Sequence, residues 1–238
     1  VICFSDYTCG NLLKWSVRKE RIKKVSIGID TELFHPAVDT SQVVKQFNLK
    51  DRKVILTVNR LIPRKGIDSV ISCLPELIKG IPSIIYMVVG GGKDERRLKD
   101  LTRKLHVEGH VIFVGEVGQQ RLPAFYGACD IFVNAVREIK DIQWPQTEGF
   151  GLVNIEASAC ARPVIAGATG GAVDAVENNS TGLLINPTNI QELKKAILCL
   201  LNDSAGAQKL GQAGREKVLR EFTMENMKRD LYNILETL

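Results

Sequence analysis

A doubly wound α/β domain on a parallel sheet is the fold class the sequence predicts, and three observations predict it. From about residue 53 onward, short apolar runs alternate with amphipathic stretches of ~10–15 residues. Gly or Pro bounds most of the runs. The runs are continuously apolar rather than alternating, as strands are when helices cover both faces of their sheet.

The elements follow in order. Residues 53–58 form a strand run, then a loop and a helical stretch over 66–79. A second run, 84–89, ends in Gly90-Gly91-Gly92 and leads into a charged helix over 94–105. A short strand at 111–114 precedes a helix around 120–128 and a strand at 131–133. After a longer loop, 151–161 reads as a helix stopped by Arg162-Pro163. Strand 164–166, a Gly-rich turn, a helix near 172–178 and a last strand at 183–185 complete a Rossmann-like pattern. Beyond Asn189 the chain reads as helical tail: 190–201, 205–220, and 224 to the end, with Leu193, Ile197 and Leu200 at helical spacing. Residues 1–30 read as a separate strand–helix–strand piece, with Gly28-Ile29-Asp30 and Pro36 marking a linker. The domain boundaries expected are therefore 1–30, 31–222 and 223–238. Because Val1 already opens a strand, the sequence is expected to start inside a larger protein.

A composition of 45% hydrophobic and 25% charged residues is that of a globular protein, and it excludes long disorder. The net charge of +5 suits an anionic partner such as a nucleoside diphosphate or a phospholipid surface, and equally a merely soluble basic surface. No nucleic-acid-binding motif is present, so no nucleic-acid partner is expected. The three histidines have no ligand spacing, and no protein metal site is expected. Six scattered cysteines without a C-x-x-C read as small buried hydrophobes in a reducing cytosol, with Cys199 in its apolar run as the example. No run approaches the ~20 apolar residues that span a bilayer. The expected location is cytoplasmic, and the basic charge permits peripheral association with the inner face of a membrane.

Three loops at carboxyl ends of strands carry candidate chemistry, because such ends are where open α/β sheets bind ligands. The loop 59–66 holds Arg60, Arg64 and Lys65. Arg60 can grip two phosphate oxygens with its planar fork, and Lys65 adds a point charge near a helix start. The same loop also reads as a solvated basic surface. Gly90-Gly91-Gly92 permits close backbone approach, or is a plain strand-to-helix turn. In 148–156, Glu148 precedes a helix and Glu156 lies about one turn inside it. The helix start at Gly151 and Leu152 would offer N–H groups to an anion between two carboxylates suited to sugar hydroxyls. Read blandly, one acid favours the helix dipole and the other is a surface Glu.

Taken together, Glu148 to Glu156 resembles the E-x7-E motif of the retaining, GT-B-fold "group 1" glycosyltransferases. Gly28-Ile29-Asp30, Arg60 with Lys65-Gly66, the Gly90 run, Phe113-Val114-Gly115, Arg162-Pro163, Gly170-Gly171 and Asn178 with Gly182 resemble that family in the same order. One departure is Ala172-Val173-Asp174 where the family often has Pro-Glu. Another is the long segment 137–147, whose Trp144-Pro145 reads as a surface insertion or as a reach toward the acceptor.

The resemblance implies the C-terminal, donor-binding half of a GT-B fold, acting on a nucleoside-diphosphate sugar with retention of configuration. It implies that Arg60 and Lys65 hold the diphosphate with the backbone of Phe150, Gly151 and Leu152. Glu148 would bind the donor sugar and Glu156 the ribose, while Gly90 and the backbone from Val114 to Val117 would line the nucleotide and face the base. No divalent metal or other cofactor is implied. An acceptor-binding domain of the same protein is the implied partner, without which the isolated chain would transfer poorly. The basic loop leans toward GDP-mannose, with UDP sugars nearly level. A GT-B-fold nucleotide-sugar epimerase and a non-catalytic nucleotide-binding module are the alternatives.

Overall fold

The computed structural model describes residues 1–139 and 146–236. The long segment's Trp144-Pro145 falls outside the described residues. Six strands form one parallel sheet: β3 (Lys53–Val58), β4 (Ile84–Val89), β5 (Val111–Gly115), β6 (Ile131–Asn134), β7 (Val164–Gly167) and β8 (Leu183–Ile185). Their order is β5-β4-β3-β6-β7-β8, so the chain runs outward from β3 to one edge, returns to the centre, and runs outward again. β3 and β4 are in register from Lys53↔Ile84 to Val58↔Val89, and β3 meets β6 at Ile55↔Ile131 and Leu56↔Phe132.

Every residue of β3 after Lys53 is buried, because each face of the sheet carries its own core. On one face Ile55, Tyr86, Val88, Ile131, Val133 and Ile165 pack with residues of α3 (Ile67–Gly80), α4 (Glu95–Lys104) and α8 (Ile190–Asn202). On the other, Leu56, Met87, Phe132 and Val164 pack with α2 (Ser41–Gln46), α5 (Leu122–Ala128), α6 (Leu152–Ala159) and α9 (Ser204–Glu221). Continuous apolar runs were the right signature of a doubly covered sheet. The Gly-rich turn leads into a helix shorter than expected: α7 is Ala172–Ala175, and Val176 is already extended.

The first residues form their own small sheet, β1 (Ile2–Cys3) parallel to β2 (Lys23–Lys24), joined by α1 (Asp6–Lys14). This piece docks on the end of the chain. Ile29 N–H donates to Phe222 O at 2.9 Å, and Ser26 N–H donates to the Asp230 carboxylate of α10 (Met224–Leu235) at 2.9 Å.

The structure corrects the cysteine reading twice. Cys3 and Cys9 form a disulfide, with Cα atoms 6.1 Å apart, because the first turn of α1 brings Cys9 back over β1. Cys199 is exposed, since it falls between the buried positions Ile197 and Leu200 on α8. Cys73, Cys129 and Cys160 are buried thiols as expected, and desolvation pushes each up to about 12.

Candidate functional site

The sheet reverses its direction of growth between β3 and β6, and the loops after those two strands diverge to opposite faces. A crevice at such a switch point is where open α/β sheets take their ligands. The β3 loop carries Arg60, Arg64 and Lys65, and the β6 connection carries Glu148 and leads into α6.

Backbone contacts sew the two loops together. A short 3₁₀ turn at Pro63–Lys65 ends at Gly66 with φ 68°, and a Cβ there would lie 2.0 Å from Ala135 O. Only glycine lets the loop lie this close to the end of β6. Arg137 N–H donates to Arg64 O at 2.9 Å, and its guanidinium donates to Pro63 O at 2.7 Å.

This stitching drives Lys65 inward. It is 7% exposed, and its Nζ lies 2.5 Å from Glu148 Oε2. Burial lowers the Lys65 pKa, and the Glu148 carboxylate opposes that shift. Arg64 is a second cation on the same oxygen at 3.7 Å, and it also donates to Thr147 O at 3.2 Å. The sequence reading counted Arg64 only in the charge of its loop. The Arg60 side chain is exposed and makes no ion pair or hydrogen bond with a described residue.

Glu148 is held from behind by the paired glycines. Gly171 N–H donates to Glu148 O at 2.8 Å, and Cβ atoms at Gly170 or Gly171 would sit 2.2 and 2.0 Å from Glu148 O and Gly149 O. The Gly-Gly turn therefore keeps its close approach although Ala172 follows it. From the other side, Ser5 Oγ of the N-terminal piece donates to Gly149 O at 2.6 Å.

Gly151 caps α6 in the left-handed region, φ 87°. The opening N–H groups of α6 have no partners within the helix, which makes this end an anion seat. Leu152 is 41% exposed there. Glu156 sits one turn in, 8% exposed, and accepts from Tyr126 Oη at 2.6 Å. Burial raises its pKa, with the tyrosine bond pulling the other way. Tyr126 went unnoticed in the sequence. The Phe150 ring packs edge-on against Phe222 with centroids 5.4 Å apart, which leaves its backbone at the start of α6.

The Gly90 run lies against the β3 loop. Gly90 has φ 125°, and a Cβ on it would lie 2.0 Å from Asn59 O; Leu61 N–H donates to Gly91 O at 2.8 Å. Val114 and Val117 are half-buried at the end of β5, packed on the core, beside the exposed Glu116. The ends of β3, β4 and β5 and the connection from β6 into α6 thus carry Arg60, Lys65, Gly90, Val114, Val117 and the stretch from Glu148 to Glu156. Among the described residues, no cluster of His, Cys, Asp or Glu could hold a metal ion.

A doubly wound sheet with a cationic loop and a helix N-terminus at its switch point places the chain in the Rossmann-like α/β class. The chain belongs to the glycosyl transferases group 1 family, whose profile matches residues 39–217. It is 33% identical over 209 residues to a GDP-mannose-dependent alpha-(1-6)-phosphatidylinositol monomannoside mannosyltransferase of Mycobacterium tuberculosis, covering 87% of this chain and 54% of that protein. It is 34% identical over 203 residues to a D-inositol 3-phosphate glycosyltransferase of Corynebacterium aurimucosum, covering 82% of this chain and 46% of that protein. Among solved structures, sucrose-phosphate synthase of Thermosynechococcus elongatus matches with a TM-score of 0.86 and 30% identity, over 100% of this chain and 57% of that one. Anabaena HepE, solved in complex with UDP, shares the fold at a TM-score of 0.90 and 24% identity, over 100% of this chain and 64% of that one. The chain spans about half the length of the mannosyltransferase and inositol-phosphate enzymes it matches.

Proposed function

We propose that this chain is the donor-binding half of a retaining glycosyltransferase that moves a hexose from a nucleoside diphosphate to an acceptor. The observation that carries the reading is the convergence of Lys65, Arg64 and Glu148 beside the N-terminus of α6. Arg60 and Lys65 hold the diphosphate together with the first N–H groups of α6. Glu148 is drawn from its ion pair to accept from donor-sugar hydroxyls, and Glu156 accepts from the ribose. Gly90 and the backbone from Val114 to Val117 line the base. As the glycosidic bond breaks, the leaving diphosphate gains charge, so fixed cations and N–H groups stabilise the transition state more than the ground state. These groups leave no electrostatic task that requires a divalent metal.

The mannosyltransferase likeness supports GDP-mannose as donor. The acceptor is bound chiefly by a further domain of the same protein, which α1 and α10 adjoin, and the isolated chain transfers poorly. Peripheral membrane contact fits the basic charge and the lipid-linked substrate in the mycobacterial relative's name. Thermal-shift titration with GDP, UDP, ADP and their sugar conjugates tests the reading. One nucleotide is expected to raise the midpoint, with stabilisation of about 2.7 kcal/mol at one hundred times Kd. No shift with any of them, at millimolar concentration, would sink it.

A further inference from the structure

Three asparagines, none adjacent in sequence, form a line of side-chain amides across the switch point. Asn59, just after β3, donates from Nδ2 to Asn134 Oδ1 at 2.9 Å, and Asn134, closing β6, donates from Nδ2 to Asn154 Oδ1 at 2.9 Å. Asn134 and Asn154 are completely buried and Asn59 nearly so. The line ends on α6 with Asn154 Nδ2, a buried donor that has no acceptor among the described residues.

Buried donors almost always find acceptors, and one left open is costly. The position of this one is informative. Asn154 Nδ2 lies 2.6 Å from where a Cβ on Gly151 would be, so the amide packs directly against the glycine that caps α6. That glycine forms the turn from which the N–H groups of α6 open. A second buried polar atom without a partner among the described residues, Thr147 Oγ1, lies 2.6 Å from the Cβ position of Gly170. Amides bonded head to tail also polarise one another, so the relay carries the positive end of its dipoles to the start of α6.

We propose that Asn154 is a further anion-binding residue of the donor site: its free Nδ2–H donates to a phosphate oxygen of the bound nucleoside diphosphate, with Asn134 and Asn59 behind it as positioning residues. The assignment rests on the donor-site reading above. It adds a side-chain donor to the helix terminus and ties that donor to the root of the Arg60 loop, so the two halves of the phosphate site share one buried connection.

Isothermal titration of the chain with GDP and UDP, and with guanosine and uridine, tests it in the wild type, Asn154→Asp and Asn154→Leu. The introduced carboxylate still accepts from Asn134 but presents negative charge to the phosphate. The leucine removes the donor at similar volume. Expected are at least a tenfold loss of nucleoside-diphosphate affinity for Asn154→Asp and a three- to tenfold loss for Asn154→Leu. Nucleoside affinity is expected to stay within twofold in both. Diphosphate binding within twofold of wild type in Asn154→Asp overturns the proposal, as does an equal loss for nucleoside and diphosphate. Wild type that binds neither nucleotide fails the donor-site reading itself. If Asn154→Asp does not fold, Asn154→Ser, which lacks the amide, carries the test: a threefold or larger loss confined to the diphosphates supports the assignment, and a smaller one overturns it.

Discussion

Lys65 and Glu148, 83 residues apart in sequence, meet at 2.5 Å in a pocket that leaves their side chains 8% and 15% exposed. Removing one member of a buried ion pair leaves a charge uncompensated, at about 3–5 kcal/mol. Arg64 stays 3.7 Å from the same carboxylate oxygen, which puts Lys65→Met at the lower end, about 3 kcal/mol. Urea unfolding measures this, and a loss below ~1 kcal/mol would mean the pair behaves as a surface one.

The Arg60 side chain is exposed and pairs with no described residue, so Arg60→Ala is expected to leave unfolding within about 0.5 kcal/mol of wild type. The same change should weaken nucleoside-diphosphate binding tenfold or more. Urea unfolding of Arg60→Ala measures the first effect, and nucleotide titration of wild type and Arg60→Ala measures the second. A destabilised Arg60→Ala chain would show that the residue serves the fold.

Glu156→Gln is expected to gain stability at neutral pH and lose ribose binding. Burial holds the Glu156 pKa above its usual 4.5, so between those values the folded chain binds more protons than the unfolded one. Its favourable contribution is complete below 4.5 and disappears as pH rises through the folded pKa. Glutamine can still accept from Tyr126 Oη and carries no charge to desolvate. The melting temperature should therefore rise by a few degrees at pH 7, where about 1 kcal/mol is worth ~2–4 °C at this size. That gain should vanish in scans below pH 4.5, and a gain that persists there would remove burial of the charge as its cause.

Gly90→Ala meets both a left-handed φ and a carbonyl, Asn59 O, at 2.0 Å from the new Cβ. Strain and overpacking together should cost at least about 2 kcal/mol. Thermal scans check this, and an unchanged midpoint would mean that the β3 and β4 ends part easily.

Thiol titration under denaturing, non-reducing conditions should find four reactive thiols, those of Cys73, Cys129, Cys160 and Cys199. Six would exclude the Cys3–Cys9 bond.

The sheet was legible because buried parallel strands such as Lys53–Val58 and Ile84–Val89 have no polar alternation to obscure them. The loops were legible as chemistry because cations, glycines and acids stand close together in sequence. What escaped notice joins distant positions. Asn59, Asn134 and Asn154 each look like ordinary turn or helix polar residues until the sheet sets β3 beside β6. Tyr126 looks like a core aromatic until α5 packs on α6 and its hydroxyl finds Glu156. α2 was missed because six mixed residues, Ser41–Gln46, carry too little periodicity to register. The Cys3–Cys9 bond was missed because spacing alone does not show that a helix turn will fold one thiol back over the other.

The strand order has an evolutionary corollary. β3 and β6 occupy the middle of the sheet, whereas β5 is an edge strand. Under the proposed assignment, the groups that grip phosphate are anchored in the least replaceable part of the molecule, and those that face the base hang from its margin. Drift along Val114 to Val117 can retune which nucleotide is accepted while the phosphate grip stays intact. A lineage can thus change its donor nucleotide by editing one edge.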